Sequence, residues 1–138
     1  MIVVDTNIIA SLVLPTSKET RLAMSLLEKD RDWVAPTLWR SEFCNILATG
    51  VRNGWFQEDQ AVEALSVAEE VMDGGEYSVP MTKVLKRAIE SECTAYDSEF
   101  VVLAQDFSVR LVTLDAALLR AFPTVAVSLH EFGSESSS

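Results

Sequence analysis

Apolar residues along the chain fall into two kinds of run. Five short stretches, Met1–Val4, Trp33–Pro36, Tyr77–Val79, Val109–Thr113 and Val125–Leu129, are largely unbroken and rich in β-branched residues. That pattern predicts strands buried on both faces. Between them, apolar positions recur every three or four residues, which predicts amphipathic helices. One is capped by Thr16-Ser17 and runs to about Lys29 with Leu22, Leu26 and Leu27 inward. A second carries Trp39, Phe43, Ile46 and Leu47 and closes at Gly54. A third spans about Gln57 to Met72, packs through Ala61, Ala64, Leu65 and Ala68, and stops at Gly74-Gly75. Pro80 opens a fourth, Met81 to about Glu92, and Thr94 caps a fifth, Ala95 to Gln105, with Tyr96, Phe100 and Leu103 as its apolar stripe. Strands alternating with helices through short connections predict an α/β fold: a three-layer α/β/α sandwich with a mostly parallel sheet. The pattern fills residues 1–132 as one domain, and Gly133 to Ser138 reads as a disordered polar tail.

Four acids stand out against that pattern. Asp5 closes the first strand, and Asp115 follows the Val109–Thr113 strand in a Thr-x-Asp arrangement. In parallel sheets, the crevice beyond the carboxyl ends of the strands is where ligands bind. Glu42 sits in the row Leu38, Glu42, Asn45, Thr49, on the margin of a buried helix face. There a carboxylate costs desolvation energy unless paired, with Arg40 as one available partner. Asp97 falls in the first turn of its helix, beside the positive end of the helix dipole. Each acid alone has a structural explanation: Asp5 and Asp115 as helix caps, Asp97 as half of a capping box with Thr94. Jointly they suggest a carboxylate cluster of the kind that holds a hard divalent cation.

Composition narrows the choices. At 138 residues the chain supports one core, burying roughly two thirds of the surface its unfolded form would expose. There is no 18-residue apolar span and no signal segment, so the expected compartment is the cytoplasm. The two cysteines, Cys44 and Cys93, are expected as small core residues, and one histidine without a Cys-x-x-Cys makes a zinc site a poor fit. His130 is expected at the surface. The 21 acids and 11 bases give a net charge of −10, seven of those acids lying between Glu58 and Glu76 with no base among them. Such a stretch reads as a solvated helix face, or else as a docking face for a basic partner. An acidic protein repels RNA unless cations offset part of the charge.

The ordered set Val4-Asp5-Thr6-Asn7, Pro36 through Glu42 to Asn45 and Leu47, Tyr96-Asp97 with Leu103-Ala104, and Leu111-Val-Thr113-Leu-Asp115 resembles the PIN-domain nucleases, more narrowly the VapC-type toxins. The resemblance spans about residues 1 to 130. It implies a PIN-like sandwich, a site formed by Asp5, Glu42, Asp97 and Asp115, and Mg²⁺ or Mn²⁺ held by those acids. Thr113 would be a supporting hydroxyl and Asn7 a weaker supporting candidate. It further implies an RNA substrate, a homodimer, and a small VapB-like antitoxin whose tail blocks the site.

Other classes fit less well. A receiver domain needs a lysine after a late strand, and the last lysine here is Lys86. A haloacid-dehalogenase-like phosphatase wants Asp-x-Asp after the first strand, and position 7 is Asn. A PIN-fold binding module that does not cut would have no reason to keep four clustered carboxylates, and a housekeeping RNA-processing nuclease would use the same residues as a toxin.

Overall fold

A computed structural model describes residues 1–14 and 16–135. In chain order the elements are β1 (Ile2–Val4), α1 (Thr6–Val13), α2 (Thr20–Lys29), β2 (Trp33–Pro36), α3 (Trp39–Arg52), α4 (Glu58–Val71), β3 (Glu76–Tyr77), α5 (Met81–Ser91), α6 (Ala95–Phe107), β4 (Leu111–Thr113), α7 (Ala116–Ala121), β5 (Ala126–Ser128) and α8 (Leu129–Glu135). All five strands are parallel, in the order β3-β2-β1-β4-β5. The expected α/β architecture is present, with a sheet that is wholly rather than mostly parallel.

This order follows from connection handedness. The chain steps outward from β1 to β2 and β3, then returns across the sheet to β4 and β5. Right-handed crossovers therefore place the helices that connect β1 to β3 and those that connect β3 to β5 on opposite faces. Helices α1 to α4 pack on one another, and α8 joins them against α2. On the other face α6 lies against β1, β2 and β4 with α5 outside it. The reversal falls between β1 and β4, so the carboxyl ends of those two strands flank the switch point where such sheets bind ligands.

The core is built from the strands and the helix faces turned toward them. Val3, Val4, Ile8, Ile9, Trp39, Phe43, Phe100, Val101, Leu111, Val112 and Leu118 are fully buried. Gly75 is needed at the entry to β3, because a side chain there would run into the backbone oxygen of Trp33. Its own carbonyl accepts from Ala35 N at 2.8 Å, which seats β3 beside β2.

Several sequence expectations are corrected. The sequence pattern does not predict helices α1, α7 and α8: the apolar run of α1 is too short and continuous for its period to separate helix from loop or strand, α7 has six residues, and α8 has seven, beginning at Leu129 where the last strand is expected to end. Helix α2 starts at Thr20 rather than at a Thr16-Ser17 cap, with Leu26 and Ala23 buried but Leu22 at the surface. Cys44 is exposed, on the outer side of α3, and Cys93 is only partly buried. Tyr96 does not join Phe100 and Leu103 in the core. His130 is exposed, as expected. Helix α8 ends at Glu135, past the expected boundary at residue 132, and residues 136–138 of the expected tail lie outside those described. No helix among the described residues is long and apolar enough to cross a membrane.

Candidate functional site

Asp5 follows β1 directly and is the N-cap of α1. One of its carboxylate oxygens accepts from Thr6 N at 2.7 Å; the other accepts from the Thr113 hydroxyl at 2.7 Å and from Asn7 Nδ2 at 3.4 Å. Thr113 ends β4, and its Oγ1 in turn accepts from Asp115 N at 2.9 Å. Asn7 Oδ1 accepts from Leu114 N at 3.2 Å. A continuous chain of hydrogen bonds thus laces the carboxyl ends of the two central strands, β1 and β4. Asp115 N-caps α7, with one oxygen accepting from Ala117 N at 2.8 Å.

The other two acids come from the flanking layers. Glu42 lies in the first turn of α3, where Oε1 accepts from Thr6 Oγ1 at 2.7 Å. Arg40 is not its partner, since that guanidinium pairs with Glu69 and Glu76. Asp97 lies in the first turn of α6, its backbone N donating to the Thr94 hydroxyl at 3.0 Å.

All four carboxylates line one cavity of about 300 Å³ together with Thr6, Asn7, Asn45 and Ile46. Capping and facing the cavity prove compatible: Asp5 and Asp115 do both. Thr113 stands behind Asp5, fully buried, rather than in the cavity wall. Sequence reading missed Thr6, because α1 was not foreseen. Asn45 had a signal, its place one turn beyond Glu42 on the same row. A larger apolar groove of about 850 Å³, between α1, α2 and α4, is separate from the four acids.

The electrostatics of the cavity are those of uncompensated negative charge. Asp5 is 6 % exposed. Burial, together with the charges of Asp97 and Glu42, raises its pKa to about 7 against the opposing hydrogen bonds from Thr113 and Thr6. Burial and the charge of Asp97 push Glu42 up; burial and the charge of Asp115 do the same to Asp97. Glu99 is also raised, by burial and by Glu42. Among the described residues, no basic side chain lines the cavity. A set of hard oxygen donors without a protein cation suits a divalent ion by donor type and charge. Among the described residues, however, no three acids stand close enough together to enclose an ion as they are.

Comparison with known proteins follows the same lines. No family model matches the chain. It is 27% identical over 127 residues to Ribonuclease VapC3 of Pyrobaculum aerophilum, covering 90% of this chain and 96% of that one. The crystal structure of PAE2754, also from Pyrobaculum aerophilum, superposes with a TM-score of 0.76 at 20% identity, over 97% of this chain and 87% of that one. A toxin-antitoxin complex from Klebsiella pneumoniae superposes at 0.55 and 17% identity, over 94% and 98% of the two chains. With a wholly parallel β3-β2-β1-β4-β5 sheet between helical layers, this chain has a PIN-like fold and resembles the VapC-like members of that family.

Proposed function

We propose that the protein is a metal-dependent endoribonuclease and the toxin of a toxin–antitoxin pair, acting in the cytoplasm as a homodimer that a small VapB-like antitoxin restrains. The observation that carries this reading is the convergence of Asp5, Glu42, Asp97 and Asp115 on one cavity beside the β1–β4 switch point. The similarity to Ribonuclease VapC3 supports RNA as the substrate, and the likeness to a toxin-antitoxin complex supports the partner.

Mg²⁺ or Mn²⁺ bound there would offset the charge of the scissile phosphate and acidify an attacking water. The four carboxylates named above would hold it. Thr113 and Asn7 fix the rotamer of Asp5, and the Thr113 hydroxyl favours its ionised form. Thr6 holds one oxygen of Glu42 and leaves the other open to the cavity. The cap bond to Ala117 likewise fixes one oxygen of Asp115. These bonds orient Asp5, Glu42 and Asp115 at the cavity wall. Among the described residues, no Ser, Cys or His lines the cavity, which fits hydrolysis by water rather than through a covalent intermediate.

The test is cleavage of an RNA panel by partner-free protein in Mg²⁺ or Mn²⁺, with chelator and Asp5→Asn as controls. Cleavage that needs both the ion and Asp5 supports the reading. Cleavage indifferent to either rejects it.

A further inference from the structure

The acidic cavity leaves a problem that its own residues do not solve. A chain of net charge −10, with no base lining the cavity, cannot draw a polyanion to that point by charge alone. A cation held by the carboxylates would offset the charge of one phosphate, and contacts that do not depend on phosphate would add affinity beside it without opposing the charge of the chain.

Tyr96 stands where such a contact is needed. At 100° per residue it shares the face of α6 with Phe100 and Leu103, both buried, yet it is 61% exposed. The difference is its height on the helix. Asp97, its neighbour in the first turn, lines the cavity at the carboxyl edge of the sheet, so Tyr96 stands at that end of α6 while Phe100 and Leu103 follow one and two turns further in. Long helical side chains lean toward the helix N-terminus, which carries its ring farther over that edge. An isolated exposed aromatic is ordinary. One held on a capped helical turn, in the residue preceding a carboxylate of the site though outside the cavity lining, is a flat apolar surface at the cavity's end of α6.

Resting on the ribonuclease reading, we propose that Tyr96 is a stacking platform for a base of the RNA adjoining the scissile phosphate. Stacking is indifferent to protein charge and tolerant of base identity, so it adds affinity that the net charge of the chain does not oppose. The aromatic ring, not the hydroxyl, makes the contact.

The test uses a labelled RNA oligonucleotide that the wild type cleaves in Mn²⁺, and the same oligonucleotide made abasic on either side of the cut. At subsaturating RNA, Tyr96→Ala should cleave roughly 5- to 150-fold more slowly, the range set by loss of one aromatic stacking contact. Tyr96→Phe should stay near wild type. One abasic substitution should slow the wild type by a similar factor and Tyr96→Ala far less. An Ala variant that cleaves like the wild type overturns the proposal, as does an abasic penalty unchanged by the substitution. The competing outcome is that Tyr96 extends the exposed α5 stripe of Met81, Leu85 and Ile89 into a protein-docking face. A shift in sedimentation of Tyr96→Ala, with the abasic penalty intact, would assign it there and also overturn the proposal. If the wild type cuts no RNA, or Asp5→Asn cuts as well as it does, the ribonuclease reading itself fails; a fault confined to Tyr96 leaves that reading standing.

Discussion

The Thr113 hydroxyl donates to Asp5 Oδ2 at 2.7 Å across 108 positions of sequence, and its oxygen accepts from Asp115 N. One buried hydroxyl therefore ties together the ends of β1 and β4 and both aspartates that follow them. Thr113→Val keeps the shape and removes both bonds. A hydrogen bond to a charged group is worth about 1.5–3 kcal/mol, so cleavage on the acid side of the pH profile should fall about tenfold or more. The acid limb should move to higher pH, because this bond lowers the pKa of Asp5. Thr113→Ser should restore the wild-type profile.

Asp5 also sets a pH dependence of stability. Its pKa rises from 3.8 to about 7 on folding without metal. Between those values the native state binds more protons than the unfolded chain. The contribution is therefore fully present below the lower value and is lost as pH rises through the upper one. Metal-free protein should melt at a lower temperature at pH 8 than at pH 5. Asp5→Asn should remove much of that slope; an unaltered slope would mean the buried carboxylate is not its source.

Asp97 separates a site from a cap. If it served only the helix dipole, Asp97→Asn would cost roughly 0.3–1 kcal/mol with or without metal. The Thr94 hydroxyl already caps α6, and the Asp97 pKa is raised by burial and by Asp115. In chelator the variant should thus melt no lower than the wild type. It should also lose most of the stabilisation that added Mg²⁺ or Mn²⁺ gives the wild type. A lower melt in chelator with the full metal shift retained would take Asp97 out of the site.

The proposed antitoxin can be tested through the same oxygens. A tail that places Arg or Lys in the acidic cavity would pair with the carboxylates in charge-assisted hydrogen bonds and compete with the metal. Affinity for the cognate partner should weaken as Mg²⁺ rises. Constant affinity across the titration would put the inhibitory contact elsewhere.

Much of this was legible in the residues. Asp5 and Asp115 sit at strand ends where unbroken apolar runs stop, and Glu42 interrupts the margin of a helical stripe, so burial and sequence position are in visible conflict. The sheet followed from the alternation of those runs with helical periods. What stayed hidden depends on tertiary placement. Thr6 became a partner of Glu42 only because α1 turns directly out of β1. Periodicity gave Tyr96 the correct face of α6 but not its height relative to the sheet edge. Cys44 lies beside the Trp39 and Phe43 stripe in sequence, yet faces outward one residue around the helix.

Whether the four acids form one metal-dependent cleavage site is decided by RNA cleavage with partner-free protein titrated with Mn²⁺. Product should rise with the ion, vanish in chelator, and fall to background in an Asp5→Asn variant that still folds. Cleavage that persists in chelator, or in Asp5→Asn, would contradict such a site.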